Sequence, residues 1–242
     1  MTRFYIGTSG WHYDDWRGRF YPEKLPKTRW LEYYSRHFPT LELNNTFYRL
    51  PAERVFGKWR HTTPEGFVFS VKVSRRITHL KRLKDCREEV ERFLSRAGLL
   101  EEKLGPLLYQ LPPGLERDDD LLKAFLSLLP GGVKPVFEFR HPSWFAEEIY
   151  DLLRGRGVGF CVFHMPQRTS PILSTADFAY FRFHGSHRLY AGCYSDEELA
   201  DWARKISRCT ARVPFAFIYF NNDVAGYALK NAERLTTLLG RA

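Results

Sequence analysis

The sequence contains no uninterrupted apolar run of about 18 residues, the length that a membrane-spanning helix requires. Its opening residues pass directly into a strand-like run at Phe4–Ile6. They therefore lack the apolar stretch and the small-residue cleavage site of a secretory signal. From these absences we expect a cytoplasmic protein without a membrane partner.

Cysteine is scarce and its spacing excludes the common cysteine-based sites. The four residues are scattered, with no CxxC pair, at Cys86, Cys161, Cys193 and Cys209. Neither a zinc site nor a redox pair is indicated, and HxH and HExxH motifs are also absent. The sequence predicts reduced thiols, as in a cytoplasmic protein. It predicts no metal site and leaves any cofactor unknown.

Acidic residues are outnumbered by basic ones. The chain has 37 Lys and Arg against 28 Asp and Glu, a formal charge of +9. A basic protein favours anionic partners, either a small anion or nucleic acid. Because the basic residues are spread along the chain, a generally basic surface is an equally good interpretation.

Short apolar runs alternate with helical patterns along the whole chain, which predicts a parallel sheet built from βα units. Eight strands in 242 residues indicate one α/β domain over residues 1–242, a TIM-like (β/α) barrel. An open doubly wound sheet is the alternative. The predicted strands are Phe4–Ile6, Thr40–Leu43, Phe67–Val71, Leu107–Leu111, Val136–Phe139, Gly159–Phe163, Ala179–Phe183 and Ala216–Phe220.

The local signals for helices differ between units. The sixth βα unit is degenerate, because no helical pattern lies in Gln167–Thr175 between two predicted strands. Ser195 and Glu198 form a capping-box sequence and predict a helix starting there. Asn222-Asp223 is typical of a cap for the last helix.

Polar side chains stand where the predicted strands end. Side chains on one strand share a face at every second residue, which pairs Glu42 with Asn44, Glu138 with Arg140, and Arg182 with His184. Their large apolar neighbours would face outward against the helices. In such barrels the reactive groups lie at the carboxyl ends of the strands. The sequence therefore predicts one polar mouth, to which other strand ends add Lys72, Gln110 and Asn221.

Two interpretations of this mouth stay open. Buried charges are costly unless they are paired or used. A closed salt-bridge network, for instance between Glu138 and Arg182, would simply fill the barrel. A convergent site would bind a polar substrate. The two can coexist, because pairing also preorganises a site.

The strand-end residues belong to longer motifs spread over nearly the whole chain, and together these resemble the domain of unknown function 72 family, also called YecE-like. The resemblance implies a TIM-like barrel and brings no settled reaction or cofactor. The motifs are Ile6–Trp16 with Phe20–Pro22, Glu42–Pro51, Phe69–Lys72, Ile77–His79, Leu104–Pro113, Glu138–Trp144, Arg182–Gly185 and Tyr219–Asn222.

One position departs from the family pattern. Members often carry an Asp just after the sixth strand, whereas this chain has His164-Met165. If this position serves the site, its charge differs here.

The first functional hypothesis is an enzyme acting on a small phosphate- or carboxylate-bearing, possibly sugar-like, substrate. Its predicted catalytic residues are groups that can move a proton, namely Glu138, His184, Lys72 and Glu42. Its predicted substrate-binding residues are cations, amides and aromatics, namely Asn44, Gln110, Arg140, Arg182, Asn221, Trp11 and Tyr13.

Two alternatives accompany it. A metal-dependent hydrolase, isomerase or phosphodiesterase could use Glu42, Glu138, His184 and His164 as ligands, although the cations in the same mouth would repel a metal ion. A nucleic-acid-binding protein is favoured by the net charge and by aromatics that could stack on bases. A packing layer is the competing interpretation of those aromatics, Trp11, Tyr13, Trp16, Phe47 and Tyr48.

Overall fold

The computed structural model describes residues 1–240, and the predicted strands are present in that part of the chain. Eight main strands run parallel to one another. One additional short strand, β7, pairs antiparallel with β6. The strands are β1 (Arg3–Thr8), β2 (Thr40–Leu43), β3 (Val68–Lys72), β4 (Leu104–Gln110), β5 (Pro135–Glu138), β6 (Gly159–Met165), β7 (Arg168–Thr169), β8 (Phe178–Phe183) and β9 (Phe215–Phe220).

Helices follow most strands and cover the outside of the sheet. They are α1 (Trp30–Tyr34), α2 (Asn45–Tyr48), α3 (Glu53–Thr62), α4 (Arg87–Gly98), α5 (Asp119–Leu126), α6 (Glu147–Gly155), α7 (Asp196–Thr210) and α8 (Tyr227–Leu239). A single π-helical turn at Arg76–Leu80 follows β3. None of the helices within residues 1–240 is both long and apolar enough to cross a membrane.

The sheet closes on itself. Its hydrogen-bonded order is β1-β9-β8-β6-β5-β4-β3-β2, and an isolated parallel bridge between Ser9 and Glu42 joins the two ends. The Gly10 N–H donates to the Glu42 carbonyl at 2.9 Å across the same seam. The predicted TIM-like barrel is therefore confirmed, and the open doubly wound sheet is wrong.

Gly7 lets the two end strands approach each other. A Cβ atom built on Gly7 would lie 2.3 Å from the Thr40 carbonyl oxygen, on the neighbouring strand β2. No side chain fits at that distance, so glycine is required by the close approach of the backbones. The Tyr34 hydroxyl fills the remaining space and bonds the Thr8 N–H at 2.9 Å.

The strands alternate between the two faces as predicted. The outward residues pack with the helices in the main hydrophobic core, and they include Leu43, Phe137, Phe139, Phe181 and Phe183. The inward residues form a second cluster of Tyr5, Leu108, Val136, Cys161, Phe178, Tyr180, Phe217 and Tyr219. Above its apolar part lie hydroxyl pairs, such as Thr40 Oγ1 with the Tyr219 hydroxyl at 2.7 Å. The buried glutamates Glu42 and Glu138 and the buried Arg182 occupy the layer at the carboxyl ends.

Two local predictions are confirmed. The sixth unit has no α-helix between β6 and β8, where β7 and an irregular segment stand instead. Ser195 and Glu198 form the capping box that begins α7, with each side chain accepting from the other's backbone N–H.

Two other local predictions were wrong. The last helix has no side-chain cap from Asn222 or Asp223, because Gly226 occupies the N-cap position of α8. The Asn222 amide donates instead to Asn231 Oδ1 at 2.9 Å. Strand β4 begins at Leu104 rather than Leu107, since the register with β3 shifts at this point and accommodates Pro106.

Candidate functional site

A buried group of charges fills the carboxyl-end mouth of the barrel. We call Glu42, Glu138, Arg140, Arg182 and His184 the charged cluster. All five side chains come from strand ends or the residues just beyond them, on β2, β5 and β8. Arg182 is 1% exposed and both glutamates are 0% exposed. Sequence alternation predicted that these residues meet, and the structure brings them together.

Arg182 stands at the centre of the charged cluster. Its guanidinium is bidentate on Glu42, with Nη2–Oε1 at 2.8 Å and Nε–Oε2 at 2.9 Å. Its Nη1 donates to Glu138 Oε2 at 2.7 Å. Bidentate pairs fix geometry as well as charge, so Arg182 links the two carboxylates rigidly across the barrel.

Glu42 is engaged on both oxygens beyond its pair with Arg182. The Ser9 hydroxyl donates to Oε1 at 2.5 Å, and the Tyr180 hydroxyl donates to Oε2 at 2.6 Å. The Glu42 carboxylate therefore connects Ser9, at the seam between β1 and β2, with Tyr180 on the inner face of β8. Both oxygens of Glu42 already accept hydrogen bonds, so neither is free for the proton transfer that the sequence predicted.

Glu138 lies between two arginines. Arg140 donates to Oε1 and Arg182 to Oε2. Burial by itself would raise the pKa of Glu138, but the charges of Arg140 and Arg182 outweigh it and hold the pKa well below its ordinary value. Glu138 is therefore ionised at neutral pH, and together with Glu42 it balances the charges of Arg140 and Arg182.

His184 is held on both ring nitrogens. Arg140 Nη2 lies 3.0 Å from Nε2, and the Asn221 amide lies 3.1 Å from Nδ1. Burial, reinforced by the charges of Arg182 and Arg140, lowers the pKa of His184 well below its ordinary value. Because arginine only donates, Nε2 must accept and Nδ1 carries the proton. The Asn221 amide must then turn its oxygen toward Nδ1.

Lys72 lies at the mouth without a counter-ion among the described residues. It is half-buried at the end of β3, and its Nζ atom lies 4.1 Å from the centroid of the Phe47 ring. Across residues 1–240 it forms no ion pair. Burial, followed by the charge of Arg182, lowers the pKa of Lys72 to about 8, although Glu138 opposes the shift. This pKa lies close to neutral pH.

Gln110 and Asn221 complete the rim of the mouth. Both are half-buried, and Gln110 stands beside Glu138 in the register of β4 and β5. Arg140, at 8% exposure, is the more accessible of the two cluster arginines. The rim of the mouth thus includes Lys72 and Arg140 together with the two amides.

Several contacts of the charged cluster were missed by sequence reasoning. Ser9 and Tyr180 bond Glu42, Met165 Sδ lies 3.6 Å from Arg140 Nη1, and Arg168 donates to the Arg140 carbonyl. The Phe163 ring lies under the Arg140 guanidinium at 4.6 Å. The inward alternation on β6 and β8 could have identified Phe163 and Tyr180. No linear signal pointed to Ser9 or Arg168.

Trp11, Tyr13 and Asn44 line a separate cavity beside the charged cluster. The cavity has a volume of about 430 Å³, and the other lining residues are Gly10, His12, Asn45 and Trp59. Tyr13 is tied down by its hydroxyl, which donates to the Ser9 carbonyl at 2.6 Å. These three predicted binding residues therefore line the same cavity.

His164 faces away from the mouth. Its Nδ1 lies 2.7 Å from the Tyr194 hydroxyl, and its ring packs 5.2 Å from that of Trp202. The inward position at this strand end belongs to Met165, which contacts Arg140. The departure from the family pattern thus places a thioether against the charged cluster. Among the residues that the structure describes, no group of three or more His, Cys, Asp or Glu is placed to hold a metal ion.

The aromatics that favoured nucleic acid serve different purposes. Trp16 is fully buried and its Nε1 donates to the Asp223 carbonyl at 2.8 Å. Phe47 packs against Lys72, whereas Tyr48 is 72% exposed. They do not present one continuous stacking surface, and the packing interpretation accounts for Trp16.

Comparisons with known proteins agree with this architecture. Residues 5–242 match the family described as "Protein of unknown function DUF72". The chain is 28% identical to the UPF0759 protein YunF of Bacillus subtilis (strain 168) over 97% of this chain and 94% of the relative. It is 38% identical to the UPF0759 protein YecE of Escherichia coli (strain K12) over 64% of this chain and 56% of the relative.

A solved structure shows the same fold. The crystal structure of a DUF72 family protein from Thermotoga maritima superposes with a TM-score of 0.89 at 34% identity. The match covers 98% of this chain and 99% of that one. The resemblance inferred from the strand-end motifs is confirmed.

Proposed function

The chain belongs to the DUF72 family of proteins of unknown function, and from that premise and the geometry of the mouth we propose that it is an enzyme for a small anionic substrate. The substrate would carry a phosphate or carboxylate and bind at the carboxyl ends of the strands. Active sites of such barrels lie at this face. Scattered, unpaired thiols favour the cytoplasm as its location.

The observation that carries the proposal is the unbalanced charge of Lys72. Two carboxylates, Glu42 and Glu138, face two guanidiniums, Arg140 and Arg182, and these four charges cancel. His184 is neutral because its pKa is lowered by burial and by the adjacent arginines. Lys72 therefore adds one positive charge that no described residue neutralises. A bound anion would supply the missing partner, with Arg140 as a second donor.

The same residue is the best placed to move a proton. A general acid or base works best with a pKa near the operating pH, and burial brings the pKa of Lys72 to about 8. Lys72 would therefore act as the catalytic acid or base. Glu42, Glu138 and His184, predicted as catalytic from the sequence, would instead position the arginines and Asn221.

The side-chain amides of Gln110 and Asn221 indicate what the substrate carries besides its anionic group. Gln110 stands at the rim beside Glu138 and Asn221 beside His184, where they could bind hydroxyl or carbonyl oxygens. A polar, hydroxyl-bearing or sugar-like body attached to the anion would fit these donors and acceptors.

The test is a thermal-shift series at fixed salt with the wild type, Lys72→Met and Lys230→Met. Lys230 is an exposed lysine on α8 and serves as the matched control. The ligands are phosphate, small carboxylates, sugar phosphates, nucleotides, single-stranded DNA and RNA, and divalent metals. A ligand that binds only the folded state raises Tm with its concentration.

We expect a small anion to raise Tm in the wild type and in Lys230→Met but not in Lys72→Met. The affinity should fall as pH rises through about 8, because the Lys72 ammonium loses its proton there. An equal response in Lys72→Met would refute the proposal. A response to metal alone, or to nucleic acid alone, would favour the corresponding alternative.

A further inference from the structure

The cavity lined by Trp11 and Trp59 is mostly apolar in its walls. Trp59 is 6% exposed and forms the floor, and the two indoles meet edge to face with centroids 5.9 Å apart. The volume of about 430 Å³ lies in the range of small-molecule pockets. Asn44 and Asn45 supply amides at its border.

The wall of this cavity is fixed before any ligand binds. Gly10 has φ +86°, and a Cβ there would lie 2.7 Å from the Tyr13 hydroxyl, so glycine is required. The Tyr21 hydroxyl donates to the Trp11 carbonyl at 2.6 Å. A rigid aromatic pocket loses little conformational entropy when a ligand enters it.

The cavity lies beside the anion end of the mouth, because its lining residue Asn44 follows β2 and Lys72 ends the neighbouring strand β3. The ladder between β2 and β3 ends at the pair Leu43 and Val71, and the next residue of each strand is Asn44 and Lys72, respectively. Adjacent strands lie about 4.8 Å apart. Thr46 holds this arrangement by donating to the Lys72 carbonyl at 2.7 Å.

Asn44 carries an unused acceptor at this junction. Its Oδ1 is buried and has no hydrogen-bond partner among the described residues. Buried polar atoms are nearly always satisfied, and an exception calls for an explanation. A donor on a ligand that spans the cavity and the mouth would satisfy it after a small turn of the amide.

We propose that the cavity takes a flat ring, so that the substrate is an anion joined to an aromatic or heteroaromatic ring. The ring would lie against Trp11 and Trp59 while the anion meets Lys72. This inference rests on the proposed function, because it assumes that the anion binds at the mouth. It adds a class of substrate that the charged cluster alone does not specify.

The experiment measures Kd by calorimetry for inorganic phosphate, phenyl phosphate, cyclohexyl phosphate and phenol. The proteins are the wild type, Trp11→Leu and Lys72→Met, with Tyr48→Leu as the control for loss of an exposed aromatic. Circular dichroism and Tm establish that each variant is folded. Cyclohexyl phosphate carries the same anion on a ring that is not flat.

We expect phenyl phosphate to bind the wild type at least tenfold more tightly than phosphate and than cyclohexyl phosphate. Trp11→Leu should remove that gain while leaving phosphate binding unchanged, and Tyr48→Leu should change neither. Equal affinities for phosphate and phenyl phosphate would overturn the inference and leave the proposed function standing. Absence of binding by both phosphates would overturn both the inference and the proposed function, as would binding of both phosphates that is unchanged in Lys72→Met. Phenol has no anion, so its binding should depend on Trp11 and not on Lys72.

Discussion

The Glu138 carboxylate is a hydrogen-bond acceptor for several buried neighbours. It is fully buried and bonds both Arg140 and Arg182. The thiol of Cys161 also points to it at 3.6 Å. Removing one partner of a buried pair is expensive because the other charge is left unpaired. The site and the stability of the barrel therefore depend on the same side chain.

We expect Glu138→Gln to lower the free energy of unfolding by about 3 kcal/mol at neutral pH. Guanidinium unfolding monitored by tryptophan fluorescence measures this. Glu91→Gln is the control, because Glu91 is 65% exposed and its contact with Arg87 is 4.0 Å long. An exposed pair contributes about 0–1 kcal/mol, so a similar loss in both variants would contradict the assigned role.

The loss should depend on pH in a defined direction. The pKa of Glu138 is held well below its ordinary value by Arg140 and Arg182 against the effect of burial. Its stabilising contribution is therefore present above the unfolded pKa of about 4.3 and is lost as pH falls toward the folded pKa. The difference between wild type and Glu138→Gln should narrow on acidification below about pH 4. A constant difference would show that the charge is not the cause.

The sequence predicted which residues meet but not which atoms pair. Alternation along single strands placed Glu42, Glu138, Arg182 and His184 on the inner face, and they do lie together. The Ser9–Glu42 and Tyr180–Glu42 bonds join residues far apart in the chain. Such pairings depend on barrel closure and strand register, which no local spacing encodes.

The first turn of helix α7 is bonded to the loop that follows β8. Ser195 and Glu198 cap its first turn, and Glu198 also accepts from the Ser186 hydroxyl in that loop. The capping box was predictable because its signal lies within four residues. The cap of α8 was not, since Gly226 in a left-handed conformation replaces the expected Asn222 or Asp223 side chain.

We expect Ser195→Ala to lower the free energy of unfolding by about 1 kcal/mol, since one backbone N–H of the first turn loses its acceptor. Chemical denaturation measures the change. Ser127→Ala is the matched control, because its hydroxyl donates to Ala124 at the exposed end of α5. Equal effects in the two variants would show that the capping box adds nothing to this helix.

At the scale of the whole molecule, the barrel depends on the contact between β1 and β2. The eight-strand pattern in the sequence predicted the barrel, but it did not show how the ends meet. The Ser9–Glu42 bridge and the approach of Gly7 to Thr40 make the closure. The strand β4 boundary was missed for a related reason, because Pro106 is tolerated only through a register shift against β3.

We expect Gly7→Val to be destabilising by about 3 kcal/mol, because its side chain would collide with the Thr40 carbonyl. Hydrogen exchange should also show faster exchange of the Gly10 amide, which bonds Glu42 across the seam. Gly57→Ala is the control, since a Cβ on that α3 residue meets nothing within 4 Å. It should stabilise by about 0.5–1 kcal/mol. Unchanged exchange in Gly7→Val would contradict this account of closure.

The pairing of β1 with β9 also sets an order for biosynthesis. Strand β1 is the first strand of the barrel to be made, yet its hydrogen-bonded neighbour β9 is the last of these strands. The nascent chain therefore carries β1 as an unpaired edge strand until β9 has been made. Glu42 and Arg182 likewise meet only after β8 has emerged. A truncated translation product would contain the glutamate of the mouth without its arginine, and it could not bind the proposed ligand.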